Sequence, residues 1–133
     1  MKKAKTTRRP KAAVAQIVNI PALKKGEIYV RGTIDAAGII THTILLPGEK
    51  ANVTWKDALA WAKDKGGDLP TRIEQAMLWA HHRKLFKARW YWSNEQHAED
   101  SSYAWLQSFN YGLQYYWLQV NKGMARAVRR VAI

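Results

Sequence analysis

Tyr103 to Val131 reads YAWLQSFNYGLQYYWLQVNKGMARAVRRV, and no other stretch of the chain restricts the fold as much. Two alternating aromatic-rich segments meet at Asn110-Tyr111-Gly112, and a third, basic segment follows Asn121-Lys122-Gly123. Asn and Gly tolerate the left-handed backbone angles of hairpin turns, so this punctuation predicts consecutive antiparallel strands. Along the middle strand Leu113, Tyr115, Trp117 and Gln119 point one way, and Gln114, Tyr116, Leu118 and Val120 the other. Both sets are largely apolar. An antiparallel strand ordinarily turns a polar face to water, so the second face is either covered by another segment or displayed to a partner.

The rest of the chain has to supply that cover. With 133 residues, 47% of them hydrophobic, and seven Trp and six Tyr, it suffices for one domain around one core. Cysteine is absent, which rules out disulfides and thiol chemistry. No apolar run reaches the length of a membrane span, and no continuous apolar core follows the basic N-terminus. The expectation is a soluble, cytoplasmic protein. The formal net charge is +12, and Lys2, Lys3, Lys5, Arg8, Arg9 and Lys11 supply half of it. Residues 1–12 therefore read as a disordered basic arm and 13–133 as the domain. Such an arm binds nucleic acid or acidic surfaces, or serves solubility alone.

In chain order, Val14 to Ile20 is a short apolar run suited to an edge strand or a strap. Glu27 to Ile34 and Ile39 to Leu46 form a β-hairpin about Asp35-Ala36-Ala37-Gly38. Thr54 caps a helix running to about Lys65, whose buried face is Trp55, Ala58, Leu59 and Ala62. Thr71 with Glu74 forms a capping box for a second helix ending near Leu85, with Ile73, Ala76, Met77 and Ala80 as the expected buried stripe. Trp90 to Ser93 is a short strand, and Asn94 to Ser102 a polar loop. Strands, then two helices, then strands predict an α+β fold.

Leu69-Pro70-Thr71 with Glu74, Tyr91-Trp92-Ser93 with Glu95, Ala104-Trp105, Phe109, Gly112 and Ala125-Arg126-Ala127-Val128-Arg129 stand in an order and spacing that resemble the C-type-lectin-fold family. That family includes formylglycine-generating-enzyme-like domains, C-terminal domains of collagen-like bacterial adhesins and variable proteins of diversity-generating retroelements. The resemblance spans roughly residues 54–131 and implies a C-type-lectin-like fold, with two helices packed on short antiparallel strands, and a phage or mobile-element setting. It further implies that Phe109, Gly112, Gln114 and Tyr116 are scaffold, while Tyr111, Leu113, Tyr115, Trp117 and Gln119 are displayed to a macromolecular partner, by preference a protein. Arg126, on the family motif, would brace the fold through carboxylates or carbonyls. Gly67-Asp68 stands where the family often has Trp-Arg. The lack of cysteine excludes formylglycine-generating activity, and the Glu-Pro-Asn and Trp-Asn-Asp motifs of calcium-dependent sugar binding do not occur.

Other groupings carry less. His81 and His82 diverge by about 100 degrees on a helix and lack a ligand at i+4, so no metal is expected. Glu95, Glu99 and Asp100 read as a polar loop, and no phosphate cradle, nucleophile elbow or catalytic triad is present. Neither catalysis nor a cofactor is expected. Two readings of the aromatics remain: Tyr115 and Trp117 either pack as core or form a binding face. Nucleic acid is the alternative partner. There the arm and Arg83, Lys84, Lys87 and Arg89 would neutralise phosphates while aromatics stack on unpaired bases.

Overall fold

Hydrogen-bonding side chains punctuate the backbone. The computed structural model describes residues 19–133; the basic arm 1–12 and most of the run 14–20 lie outside the described residues. Strands β1 (Ile28–Ile34) and β2 (Ile40–Leu45) form the expected antiparallel hairpin. Its turn is fixed by the Asp35 carboxylate, which accepts from the amides of Ala37 and Ile39 at 2.9 Å each. After β3 (Lys50–Val53) the Thr54 hydroxyl accepts from the Asp57 amide and starts α1 (Trp55–Asp64). The Thr71–Glu74 box is complete and starts α2 (Arg72–His82): the Glu74 amide donates to Thr71 Oγ1 at 3.1 Å, and the Thr71 amide to Glu74 Oε1 at 2.9 Å. A 3₁₀ turn, Arg83–Leu85, ends that helix. The remaining strands are β4 (Trp90–Gln96), β5 (Tyr103–Ser108), β6 (Gln114–Leu118), β7 (Gly123–Ala125) and β8 (Val128–Ala132).

The strands make a three-stranded sheet ordered β1-β2-β8 and a five-stranded sheet ordered β3-β7-β4-β5-β6. The architecture is α+β. The meander expected of the C-terminal segments holds for β5 and β6, but the third segment does not pair with β6. It divides: β7 enters between β3 and β4, touching β4 in parallel at Tyr91 and Met124, and β8 crosses to β2. Gly123 explains the placement of β7, because a Cβ there would stand 2.8 Å from the indole nitrogen of Trp92, which donates to the Val53 carbonyl. Strand β6 is left as an edge.

The two helices lie on opposite faces of the larger sheet. Ala58 and Ala62 of α1 pack with Trp92, Ala104 and Leu106, whereas Leu78 of α2 packs with Tyr91, Phe109 and Met124. Tyr91 and Trp92 are successive residues of β4, so their side chains point to the two sides. Of the expected α2 stripe only Met77, half-buried against the Leu78 cluster, faces the core. Glu74, Gln75 and Leu78 are buried, while Ile73, Ala76 and Ala80 are exposed. Two of the inward residues are polar, but each meets built partners. Gln75 Nε2 donates to the Tyr91 and Trp92 carbonyls at 3.1 and 3.0 Å. Glu74 accepts from Arg130 Nε at 2.7 Å and Nη2 at 2.8 Å, a bidentate pair that ties β8 to the start of α2. Paired polar groups outrank apolar periodicity here, although Gln75 Oε1 itself has no hydrogen-bond partner among the described residues.

Candidate functional site

The open edge of the sheet gathers most of the residues singled out from the sequence. In β6, Tyr115 lies opposite Leu106, Tyr116 opposite Trp105, and Trp117 opposite Ala104. Tyr111, Leu113 and Tyr115 are 74%, 51% and 52% exposed. Trp117 departs from the display expected of it. Its ring turns onto the α1 side of the core, with centroids 5.6 Å from Trp90 and 6.3 Å from Trp92, because the small side chain of Ala104 leaves room for an indole. Gln119 is likewise drawn into the framework: its Nε2 donates to the carbonyls of Ser101 and Tyr103, at 2.8 and 3.1 Å, and its own carbonyl accepts from the Trp55 amide.

Around Gly112 the framework is tight. Gly112 has φ +85°, and a Cβ there would lie 2.5 Å from the Trp79 ring, so both the backbone and the helix–turn contact require glycine. Phe109 is buried and stacks on Phe86 at 3.9 Å. Gln114 Nε2 donates to the Arg72 carbonyl at 2.8 Å and to Gln107 Oε1 at 3.0 Å, and Gln114 Oε1 accepts from Arg72 Nε at 2.9 Å.

Tyr115 and Tyr116 are neighbours on a strand and start on opposite faces, yet their rings stack at 4.7 Å. Such a contact requires the rings to fold round the free edge of β6. The aromatic surface then continues from Tyr116 to Trp105 at 5.2 Å, His97 at 4.5 Å and Tyr103 at 5.5 Å, all half-buried. Arg72 lies over Trp105, its guanidinium carbon 3.5 Å from the ring centroid. Its amide donates to Glu95 Oε2 at 2.8 Å, so a carboxylate expected in a polar loop, but carried by β4, completes the start of α2. Beyond Arg72 a shallow groove runs between α2 and the β5–β6 turn, lined by Ile73, Ala76, Trp79 and Gly112. Arg83 covers Trp79 at 4.4 Å. Trp79 and Arg72 had no place in the sequence reading, and Ile73, expected in the core, is exposed. Their signal was the phase of α2, visible only once Glu74 and Gln75 are known to point inward.

The strongly perturbed ionisable groups have structural occupations. Arg129 donates to both oxygens of Glu27, which, with the Lys24 amide, lowers the Glu27 pKa to about 2. Arg130 is held protonated by Glu74 against the cost of burial. Burial pushes the Tyr91 phenol up; its hydroxyl donates to Glu49 at 2.8 Å. Burial opposes the charge on Glu49, but Lys87 and Tyr91 outweigh it and hold that carboxyl below its usual range. Burial pulls the Arg126 guanidinium down, while its nitrogens donate to the Leu85 and Leu46 carbonyls at 2.8 and 3.2 Å.

Of the alternative phosphate-binding set, Lys2, Lys3, Lys5, Arg8, Arg9 and Lys11 lie outside the described residues. Arg83 is engaged by Trp79 and Lys87 by Glu49, whereas Lys84 and Arg89 are exposed. Among the described residues no helix is long and apolar enough to cross a membrane. Comparison with protein-family models and with curated proteins gives no match.

Proposed function

We propose that this protein is a non-catalytic recognition module, built on a C-type-lectin-like fold, that presents an aromatic edge to a macromolecular partner, a protein. The observation that carries this reading is the belt of rings folded round β6, from Tyr115 through Tyr116 and Trp105 to the Arg72 guanidinium. Tyr, Trp and Arg dominate the energetic centres of protein interfaces, because each offers a large contact area at small entropic cost. Here the rings are held by one another, so little freedom remains to be lost on binding. Tyr111, Leu113 and Ile73 extend the contact on the turn and on α2. The strongly shifted ionisable groups are already paired within the framework, which supports a binding role over proton transfer.

A photo-crosslinking amino acid placed at Leu113 tests this, with Lys63 on the exposed side of α1 as the control position. In an extract of the cell in which the protein occurs, one discrete adduct is expected from position 113 and none from position 63. Unlabelled protein should compete for that adduct, and Y111A/Y115A protein should not. Equal labelling from both positions, or unimpaired competition by the double variant, would refute the proposal.

A further inference from the structure

A second cleft opens on the other side of the larger sheet. It measures about 440 Å³ and is lined by Asn52, Arg89, Trp90, Trp117, Lys122 and Gly123, among others, a size within the range of ~300–1,000 Å³ usual for small-molecule sites. From this geometry we infer a binding site for a nucleotide unit, an unpaired base together with its phosphate.

Three independent features meet there. The first is charge: Arg89 and Lys122 both line the cleft, and no carboxylate among the described residues does. The ion pairs among those residues are Lys87 with Glu49, Arg129 with Glu27, and Arg130 with Asp68 and Glu74, so Arg89 and Lys122 are not neutralised by an acid. Two cations free of acids in one cleft suit a phosphate. The second is the wall. Trp90 and Trp117 are tilted by 43° at 5.6 Å and each remains half-buried, so the cleft offers indole surface for a flat ring. Stacking of this sort accepts any base. The third is Asn52. Its φ of +55° is the one positive value at a non-glycine among the described residues, and it falls where the β3–β7 pairing is interrupted. A bulge re-aims a side chain, and an amide is both donor and acceptor, as the edge of a base requires. Gly123 forms the floor by admitting the Trp92 indole beneath it.

Calorimetric titration of the full chain with adenosine 5′-monophosphate, adenosine, inorganic phosphate, a twelve-nucleotide single strand and its duplex tests the inference. The variant R89Q/K122Q removes both charges at exposed positions without touching the core. Saturable binding of the monophosphate is expected, with adenosine and phosphate each at least tenfold weaker and the double variant at least tenfold weaker than the parent. If the physiological source is a polymer, the single strand binds more tightly than the monophosphate, and its salt dependence becomes shallower by ~1.4 in log–log slope when both charges are removed. Equal affinities for the strand and the monophosphate would assign the cleft to free nucleotide. The inference is overturned if phosphate binds as well as the monophosphate, or if R89Q/K122Q binds every probe as the parent does, which would assign binding to charges elsewhere. It is also overturned if neither monophosphate nor single strand saturates.

Discussion

Replacing Trp117 by alanine separates a core indole from a displayed one. The ring lies against Trp90 and Trp92 at 5.6 and 6.3 Å and covers the α1 side of the core, while part of it meets the solvent. Complete burial would make the truncation cost about 3–5 kcal/mol. Because Trp117 is half-buried, some of that burial is absent, and the two aromatic contacts return roughly 0.5–1.5 kcal/mol each. A loss of at least about 2.5 kcal/mol follows, equivalent to a fall in Tm of roughly 10 °C or more for a domain of this size. Tyr115→Ala, two residues away on the same strand, removes a ring that is more than half exposed and rests on Tyr116; its cost should stay below about 1 kcal/mol. Urea denaturation followed by far-ultraviolet circular dichroism measures both. Equal losses, or a larger loss at Tyr115, would refute the assignment of Trp117 to the core and of Tyr115 to the surface.

Three further outcomes are expected. Arg130→Met leaves the Glu74 carboxylate without its bidentate partner and should cost about 3 kcal/mol, with much of the loss recovered in the double variant with Glu74→Gln; additive losses in a double-mutant cycle would show that the pair is not coupled. The carboxyl of Glu27 is lowered from 4.5 to about 2 in the folded state, so its contribution is complete above pH 4.5 and disappears as the pH falls towards 2; Glu27→Gln should lower stability most above pH 4.5, pH 7 included, and flatten the profile between 4.5 and 2, whereas a variant that keeps the parent's slope in that window would show that the pair with Arg129 is not what stabilises the fold. Gly112→Ala imposes a Cβ on the Trp79 ring at a positive φ and should cost about 2 kcal/mol or more, with a change in tryptophan fluorescence; an unaltered Tm would show that the turn relaxes freely.

The local features of this chain were largely legible because their causes are local. The hairpin about Asp35, the caps at Thr54 and Thr71, and the turn at Gly112 each depend on residues within four positions of one another, and the structure has them all. What was not legible depends on partners far along the chain. The phase of α2 is set by Arg130 and by the carbonyls of Tyr91 and Trp92, so an apolar stripe through Ile73 misled. Likewise Trp117 turns inward because Ala104 stands beside it, and alternation within β6 cannot reveal its neighbour. The short strand β3 was missed altogether, since Lys50 to Val53 has little apolar character until β7 pairs with it.

The division of the C-terminal segment between the sheets bears on how the protein acquires its fold. β8 completes the small sheet by pairing with β2, and β7 fills the gap between β3 and β4 in the large one. The large sheet is not whole until the chain has been made through Ala125, and the small one not until Ala132. During synthesis the edges of β3 and β4, with Trp92 between them, must wait uncovered for a strand far along the chain. Such non-local closure slows folding and lengthens the exposure of unpaired edges to other chains. Yield in the cell should therefore depend on chaperone capacity more than the final stability suggests, and a stop introduced before Val128 should abolish the fold even though both helices and β6 have already been made.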